Sequence, residues 1–244
     1  MTDRVVLVTG GTRGIGRGIA QRYLDDGDTV VVCGRREPDE GSVGEFRSCD
    51  VREPDAVEAL CDGIAADHGG LDIVINNAGG SPNMSSAEDS PNFTRKVVDL
   101  NLMAAIWTSR FAHRYLAAAD DGCIVNVASL SGVRPSPTNS AYGAAKAGLL
   151  GWNRSVAAEW GGQVRVNAVV VGIVGTESAE YVYGDAATLD RIAGTIPMGR
   201  MGTPLDVAEA CWWLTSPAAG WVSGAELEVH GGGEPPPFIA ALDS

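Results

Sequence analysis

Short apolar runs alternate with longer amphipathic ones along almost the whole chain. The first run, at 4–9, is rich in β-branched side chains and too short for a helix, so it predicts a strand. A glycine-rich turn follows it. Then Ile19, Ala20, Tyr23 and Leu24 recur at helical spacing and predict a helix ending near Gly27. By the same reasoning strands are predicted at 29–33, 44–49, 71–75, 122–128, 164–171 and 225–230. Helices are predicted at 54–68, through 100–107, from Ser140 to about Trp160, and over 204–215. Residues 172–200 read as a loop. The 100–107 stretch is apolar nearly all round, which predicts cover on two sides, by the sheet and by another subunit. Strand and helix take turns throughout. The expected fold is therefore α/β: one domain over 1–244, a doubly wound parallel sheet flanked by helices on both faces.

Composition narrows the class of function more than the fold. The chain has 244 residues, 45% hydrophobic and 20% charged, as expected of a soluble protein with a sizeable core. A net charge of −13 argues against nucleic acid and against an anionic membrane surface as partners. Cys33, Cys49, Cys61, Cys123 and Cys211 are scattered and read as buried thiols in a reducing compartment. They lack the spacing of a metal site. His68, His113 and His230 do not cluster, so neither a metal centre nor Ser–His–Asp catalysis is expected. The apolar N-terminal run is too short for a signal sequence or a membrane span, and a cytoplasmic location is expected.

Two stretches carry candidate chemistry. Between the first strand and first helix, Gly10, Gly14 and Gly16 flank Thr12, Arg13 and Ile15. A turn without Cβ atoms lets backbone N–H groups at a helix N-terminus approach a pyrophosphate, the arrangement of a Rossmann-type dinucleotide fold. After the second strand an acidic residue would bind a ribose 2′-OH, whereas arginine would accept a 2′-phosphate. Here Arg35 and Arg36 stand there, with Arg13 nearby, so NADP is expected and NAD is the alternative. In the second stretch Tyr142 and Lys146 lie four apart on a predicted helix and share one face, and Ser129 ends the preceding strand. An ammonium close to a phenol favours the phenolate, and a serine hydroxyl beside it can bind a carbonyl oxygen. That trio suits proton exchange with an alcohol or ketone.

With these motifs in order, the chain resembles the short-chain dehydrogenase/reductase family, in its compact single-domain branch, from Val5 to about Gly232. The resemblance rests on TGGTRGIG at 9–16, Asp50, NNAG at 76–79, Asn101, Ser129, YGAAK at 142–146 and VNAVVVGIVGTE at 166–177. It implies Tyr142 as the acid/base, with Lys146 lowering its pKa and holding the nicotinamide ribose. Ser129 would orient the substrate oxygen, and Asn101 would support a water-linked proton path to Lys146. Asp50 and Val51 would flank the adenine, Asn77, Ala78 and Gly79 would line the same cleft, and Val174 and Thr176 would hold the carboxamide and phosphate side. Two positions depart from the family pattern. Val171 stands where proline is usual, which predicts a less fixed loop, and His230 stands where aspartate is common, near a subunit contact.

The implied reaction is hydride transfer between a nicotinamide and a secondary alcohol or ketone. Two alternatives stand beside it: a 3-oxoacyl-carrier-protein reductase, and a catalytically silent nucleotide-binding protein on the same fold. Enoyl reduction fits less well, since the relatives that perform it use a wider Tyr-to-Lys spacing. Net acidity disfavours an acidic carrier, although Arg95, Lys96, Arg110 and Arg114 could form a local basic face. Substrate choice is expected in 81–93, 130–139 and 175–200, the last as a substrate loop carrying Glu177, Tyr181, Tyr183 and Met198. A homotetramer is expected, with a dimer as the alternative, and the tail from 233 to 244 is expected to be extended around its prolines.

Overall fold

The computed structural model describes residues 4–39 and 41–233; the expected extended tail lies outside them, apart from Gly233. Its first half runs β1 (Val5–Thr9), α1 (Gly14–Asp25), β2 (Thr29–Gly34), β3 (Glu45–Ser48), α2 (Pro54–His68) and β4 (Ile73–Asn76). Then come α3 (Pro91–Val98), α4 (Ala104–Leu116), β5 (Cys123–Ser129), α5 (Ser140–Trp160) and β6 (Arg165–Val171). The chain continues through α6 (Ala179–Tyr183), α7 (Ala186–Gly194) and α8 (Pro204–Leu214) to β7 (Glu226–Val229). All strand pairs are parallel, in the order β3-β2-β1-β4-β5-β6-β7.

The two-residue period of each strand divides the core. On β1, Val5 and Leu7 point to one face and Val6 and Val8 to the other; Val31 and Cys33 oppose Val30 and Val32 on β2 in the same way. The first face is covered by α2, α4 and α5 through Leu60, Ile64, Ala112, Leu116 and Val156. The second is covered by α1 and α8 through Ile19, Tyr23, Val207 and Leu214. Because both faces are buried, the central strands are apolar at successive positions, which is why they read as unbroken runs.

The chain direction reverses across the sheet between β1 and β4: connections run outward to β3 on one side and to β7 on the other. A crevice opens at such a switch point, outside the carboxyl ends of the strands. Thr9 and Asn77 hold that opening in shape. The Thr9 hydroxyl accepts from the Asn77 and Ala78 amides, each at 3.0 Å, and the Asn77 side chain donates to the Thr9 and Gly10 carbonyls.

Three expectations are corrected. The 172–200 stretch is not all loop: it contains α6 and α7, the latter started by the Asp185 carboxylate accepting from the Thr188 amide. No residue of α7 is fully buried, but Leu189, Ile192 and Ala193 recur at helical spacing and are half-buried, a short apolar stripe between polar positions. The helix through 100–107 is interrupted by a π-helical turn over Asp99–Met103 between α3 and α4. Finally, the strand expected at 71–75 begins later, because the Asp72 carboxylate is turned back to accept from the Val5 amide at 2.7 Å.

Candidate active site

A cleft of about 1490 Å³ lies over the carboxyl ends of β1, β2, β4, β5 and β6. Every residue expected at the site except Asn101 and the buried Gly16 lines it, from Arg35 and Asp50 at one end to Ser129 and Tyr142 at the other. Asn101 and Gly16 stand immediately behind its wall. A Cβ placed on Gly79 would lie 2.8 Å from Asn101 Oδ1 and 3.4 Å from Lys146 Nζ, so amide and ammonium both lie beneath this glycine. A Cβ on Gly16 would lie 2.3 Å from the Gly10 carbonyl oxygen and 2.4 Å from Asn77 Nδ2.

Asn101 is buried within the π turn. Its amide donates to the Val97 carbonyl and to the Gly80 carbonyl, each at 2.9 Å, and its Oδ1 accepts from the Gly80 amide at 2.8 Å. The side chain thus takes a carbonyl of the preceding turn and fastens the β4–α3 loop to the helix. A side chain inserted into the backbone ladder is a recognised cause of such a helical irregularity.

Lys146 is also buried, and its Nζ donates to the Val127 carbonyl at 2.7 Å while standing 5.7 Å from the centre of the Tyr142 ring. Burial pulls this ammonium down to about 8. Burial pushes the Tyr142 phenol up from its ordinary value, and its hydrogen bond with the Ser129 hydroxyl draws it partly back. In this state of the site, removal from water sets the direction of the phenol's shift. The Lys146 ammonium is committed to the Val127 carbonyl and is itself weakened by burial. Ser129 Oγ also accepts from the Ser131 amide at 3.2 Å, which fixes the turn leaving β5.

At the other end, Arg13, Arg35 and Arg36 are exposed along the cleft. Asp50 is paired with Arg52, with Oδ1 2.9 Å from Nε and Oδ2 2.5 Å from Nη2, and these bonds hold its carboxyl below the usual carboxylate range. Val174 is bridged to Gly202, and the Gly175 amide donates to the Gly202 carbonyl at 2.9 Å. The Gly172 amide donates to Val229 at 3.0 Å, and Gly172 packs so closely on His230 that a Cβ there would lie 2.6 Å from the histidine's. The loop after β6 is thus pinned without the usual proline, against expectation. His230 itself has Nε2 2.8 Å from Glu228 Oε2.

The mouth of the glycine loop fits a phosphate group. Gly14 has a left-handed φ of +53°, and its amide, the first of α1, donates to a carboxylate oxygen of Glu177 at 2.8 Å. An anionic oxygen is thus already received at this helix end.

The family model described as enoyl-(acyl carrier protein) reductase matches residues 10–234. The chain belongs to the short-chain dehydrogenase/reductase family. As a member it is an oxidoreductase of CH–OH and C=O groups that uses a nicotinamide cofactor. The chain is 32% identical to the 3-oxoacyl-[acyl-carrier-protein] reductase of Chlamydia muridarum, covering 95% of this chain and 98% of that one. It is 35% identical to the cis-4-hydroxycyclohexanecarboxylate dehydrogenase of Sinomonas cyclohexanicum, over 94% and 96% respectively. Among solved structures, ligand-free aldohexose dehydrogenase of Thermoplasma acidophilum matches with a TM-score of 0.90 at 33% identity, covering 94% of this chain and 93% of that one.

Two supports of this dehydrogenase/reductase site escaped sequence reasoning. Thr9 stands in the glycine motif, but its hydroxyl's grip on Asn77 and Ala78 depends on β1 and β4 being neighbours. Behind the cleft, Asn76 Nδ2 donates to Asn126 Oδ1 and to Ser109 Oγ, each at 2.9 Å, and Asn126 Nδ2 donates to Asn153 Oδ1 at 3.0 Å. Its trace in the sequence is Asn76 in the NNAG motif and one asparagine within each of two largely apolar segments, at 126 and 153.

Proposed function

We propose that the protein is an NADP-dependent reductase or dehydrogenase of a secondary alcohol or ketone, with Tyr142 as its acid/base. The observation that carries this reading is the placement of Ser129, Tyr142 and Lys146 at one end of a cleft whose other end is lined by Arg13, Arg35 and Arg36. When bound, the dinucleotide supplies or accepts the hydride. Gly10, Thr12, Gly14 and Ile15 would hold its pyrophosphate end, with Asp50 and Val51 beside the adenine and Arg35 and Arg36 toward the 2′-phosphate. Asn77, Ala78, Gly79, Val174 and Thr176 would wall the nicotinamide side.

The chain's own residues handle the proton. The phenol of Tyr142 gives a proton to the substrate oxygen in reduction and takes it back in oxidation. Ser129, already hydrogen-bonded to that phenol, orients the same oxygen. Lys146, fixed to Val127, replenishes the proton from the inner side, where Asn101 keeps the loop at Gly79 and Gly80 closed over it.

Nicotinamide fluorescence during titration with NADPH and with NADH tests the cofactor reading. Wild type is expected to prefer NADPH, and Arg35→Ala to weaken NADPH by about fivefold to tenfold while leaving NADH nearly unchanged. A wild-type preference for NADH would overturn the choice of NADP. A 3-oxoacyl-carrier-protein reductase is the second reading, favoured by the likeness to the Chlamydia muridarum enzyme. Against it, Arg114 of the basic face is already engaged by Asp62 and Tyr115. Reduction of a 3-oxoacyl thioester in preference to simple ketones would favour that second reading. We further propose a single domain, a cytoplasmic enzyme and a homotetramer.

A further inference from the structure

Glu177 lies in the connection between β6, which ends at Val171, and α6, which begins at Ala179, 163 positions from the glycine whose amide it caps. α1 has no side-chain cap of its own: Arg13 at its N-cap makes none, and no acidic residue lies in its first turn. The Thr176–Glu177 segment fills that gap. A Cβ on Gly14 would lie 3.5 Å from Thr176 Cγ2 and 4.0 Å from Glu177 Oε1, so the Thr176 methyl and the Glu177 carboxylate seat together on the loop.

We propose that Glu177 is an internal competitor for the dinucleotide's pyrophosphate, a latch that ties the 176–194 segment to the glycine loop until a phosphate-bearing ligand displaces it. The inference rests on the dinucleotide reading of the glycine loop. One N–H group donates well to one anion at a time, and a carboxylate and a pyrophosphate at the same helix end repel each other. Binding of the dinucleotide therefore drives Glu177 off Gly14.

The consequence reaches the substrate. Upstream of the latch the chain is anchored, through the Val174–Gly202 bridge and the Gly175 amide. Downstream the segment is held lightly: Tyr181 is 94% exposed and no residue of α7 is buried. Few buried contacts make such a segment inexpensive to move. Val182 and Tyr183 on α6 line the cleft, so releasing Glu177 reshapes the part of it that meets substrate. Occupation of the dinucleotide site thus alters the part of the cleft lined by Val182 and Tyr183.

Calorimetric titration of the full chain with ADP, which carries the diphosphate, and with adenosine, which does not, separates this proposal from its basis. Relative to wild type, Glu177→Gln and Glu177→Ala are expected to bind ADP about fivefold more tightly, the worth of roughly one helix-end charge. Adenosine affinity is expected to stay unchanged. Limited proteolysis gives a second readout: ADP should speed cleavage within 176–194 in wild type, whereas both variants should be cut rapidly with or without it. Tighter ADP binding by either variant supports the latch. ADP binding that is equal or weaker in both, or protection of 176–194 by ADP in wild type, overturns it while leaving the dinucleotide reading intact. Failure of ADP to bind wild type or either variant overturns both.

Discussion

Tyr142 and Lys146 share one helix face, yet their surroundings push their proton affinities in opposite senses. Burial raises the phenol and pulls the ammonium down to about 8, so both lean toward their neutral forms. A raised phenol is a ready proton donor at neutral pH, which suits carbonyl reduction. Alcohol oxidation needs the phenolate, whose fraction grows only as pH rises toward the phenol's elevated value. The expected outcome is an oxidation rate that climbs through the alkaline range and a reduction rate that declines over the same range, read from kcat/KM profiles in both directions. Tyr142→Phe should lower either rate by about 10²–10⁴ while cofactor titration still saturates. Loss of cofactor binding together with rate would show that the phenol's role lies in holding the dinucleotide.

Between the elements, the buried asparagines join what the backbone ladders do not. Asn126 on β5 is completely buried and links Asn76 on β4 to Asn153 on α5. Removing its amide leaves the Asn76 donor and the Asn153 acceptor short of partners in an apolar interior. An unmet buried polar group costs about 1–3 kcal/mol. Asn126→Ala is therefore expected to lower Tm by about 2–4 °C for each kcal/mol lost, in a calorimetric scan. An unchanged Tm would mean that the network contributes nothing net to stability. The π turn between α3 and α4 works at the same scale: it places Asn101 where one side chain reaches both Val97 and the Gly80 loop.

Over the whole molecule, thiols and phenols raised by burial set the alkaline limit of stability. All five cysteines are free and buried. Burial pushes Cys49 up to about 11, Cys61 and Cys123 up to about 12, and Cys33 and Cys211 higher still. In the unfolded chain each ionises near 9, so above that pH the folded state binds more protons. Their contribution to stability is complete below about pH 9 and is lost as pH rises toward the folded values. Lys146 has the opposite sign: its folded value is the lower one, so the fold gains as pH rises from about 8 toward 10.5. The Tyr23 and Tyr142 phenols, also raised by burial, act in the same sense as the thiols, and together these groups outweigh one lysine. The unfolding free energy is expected to fall steadily above about pH 9 in urea titrations, and Cys211→Ala or Cys33→Ala should make that slope shallower. A flat profile from pH 9 to 11 would refute the assignment.

The sequence by itself determined the parallel α/β fold, through strands apolar at successive positions and helices with one apolar stripe, and it marked the short motifs whose chemistry is local. Gly10, Gly14 and Gly16 stand within one turn, and Tyr142 and Lys146 within one turn of helix, so their spacing already fixes their geometry. Tertiary structure alone decided what depends on contacts between distant segments. Thr9 grips Asn77 because β1 and β4 are neighbours, Asn101 and Lys146 both lie beneath Gly79, and Glu177 reaches Gly14 across the cleft. Helix α7 was legible only faintly, since its apolar period is the short set Leu189, Ile192 and Ala193, half-buried and flanked by polar residues. The balance of proton affinities at Tyr142 followed the same rule: linear spacing brings an ammonium near a phenol, but only packing determines how much water is left around either.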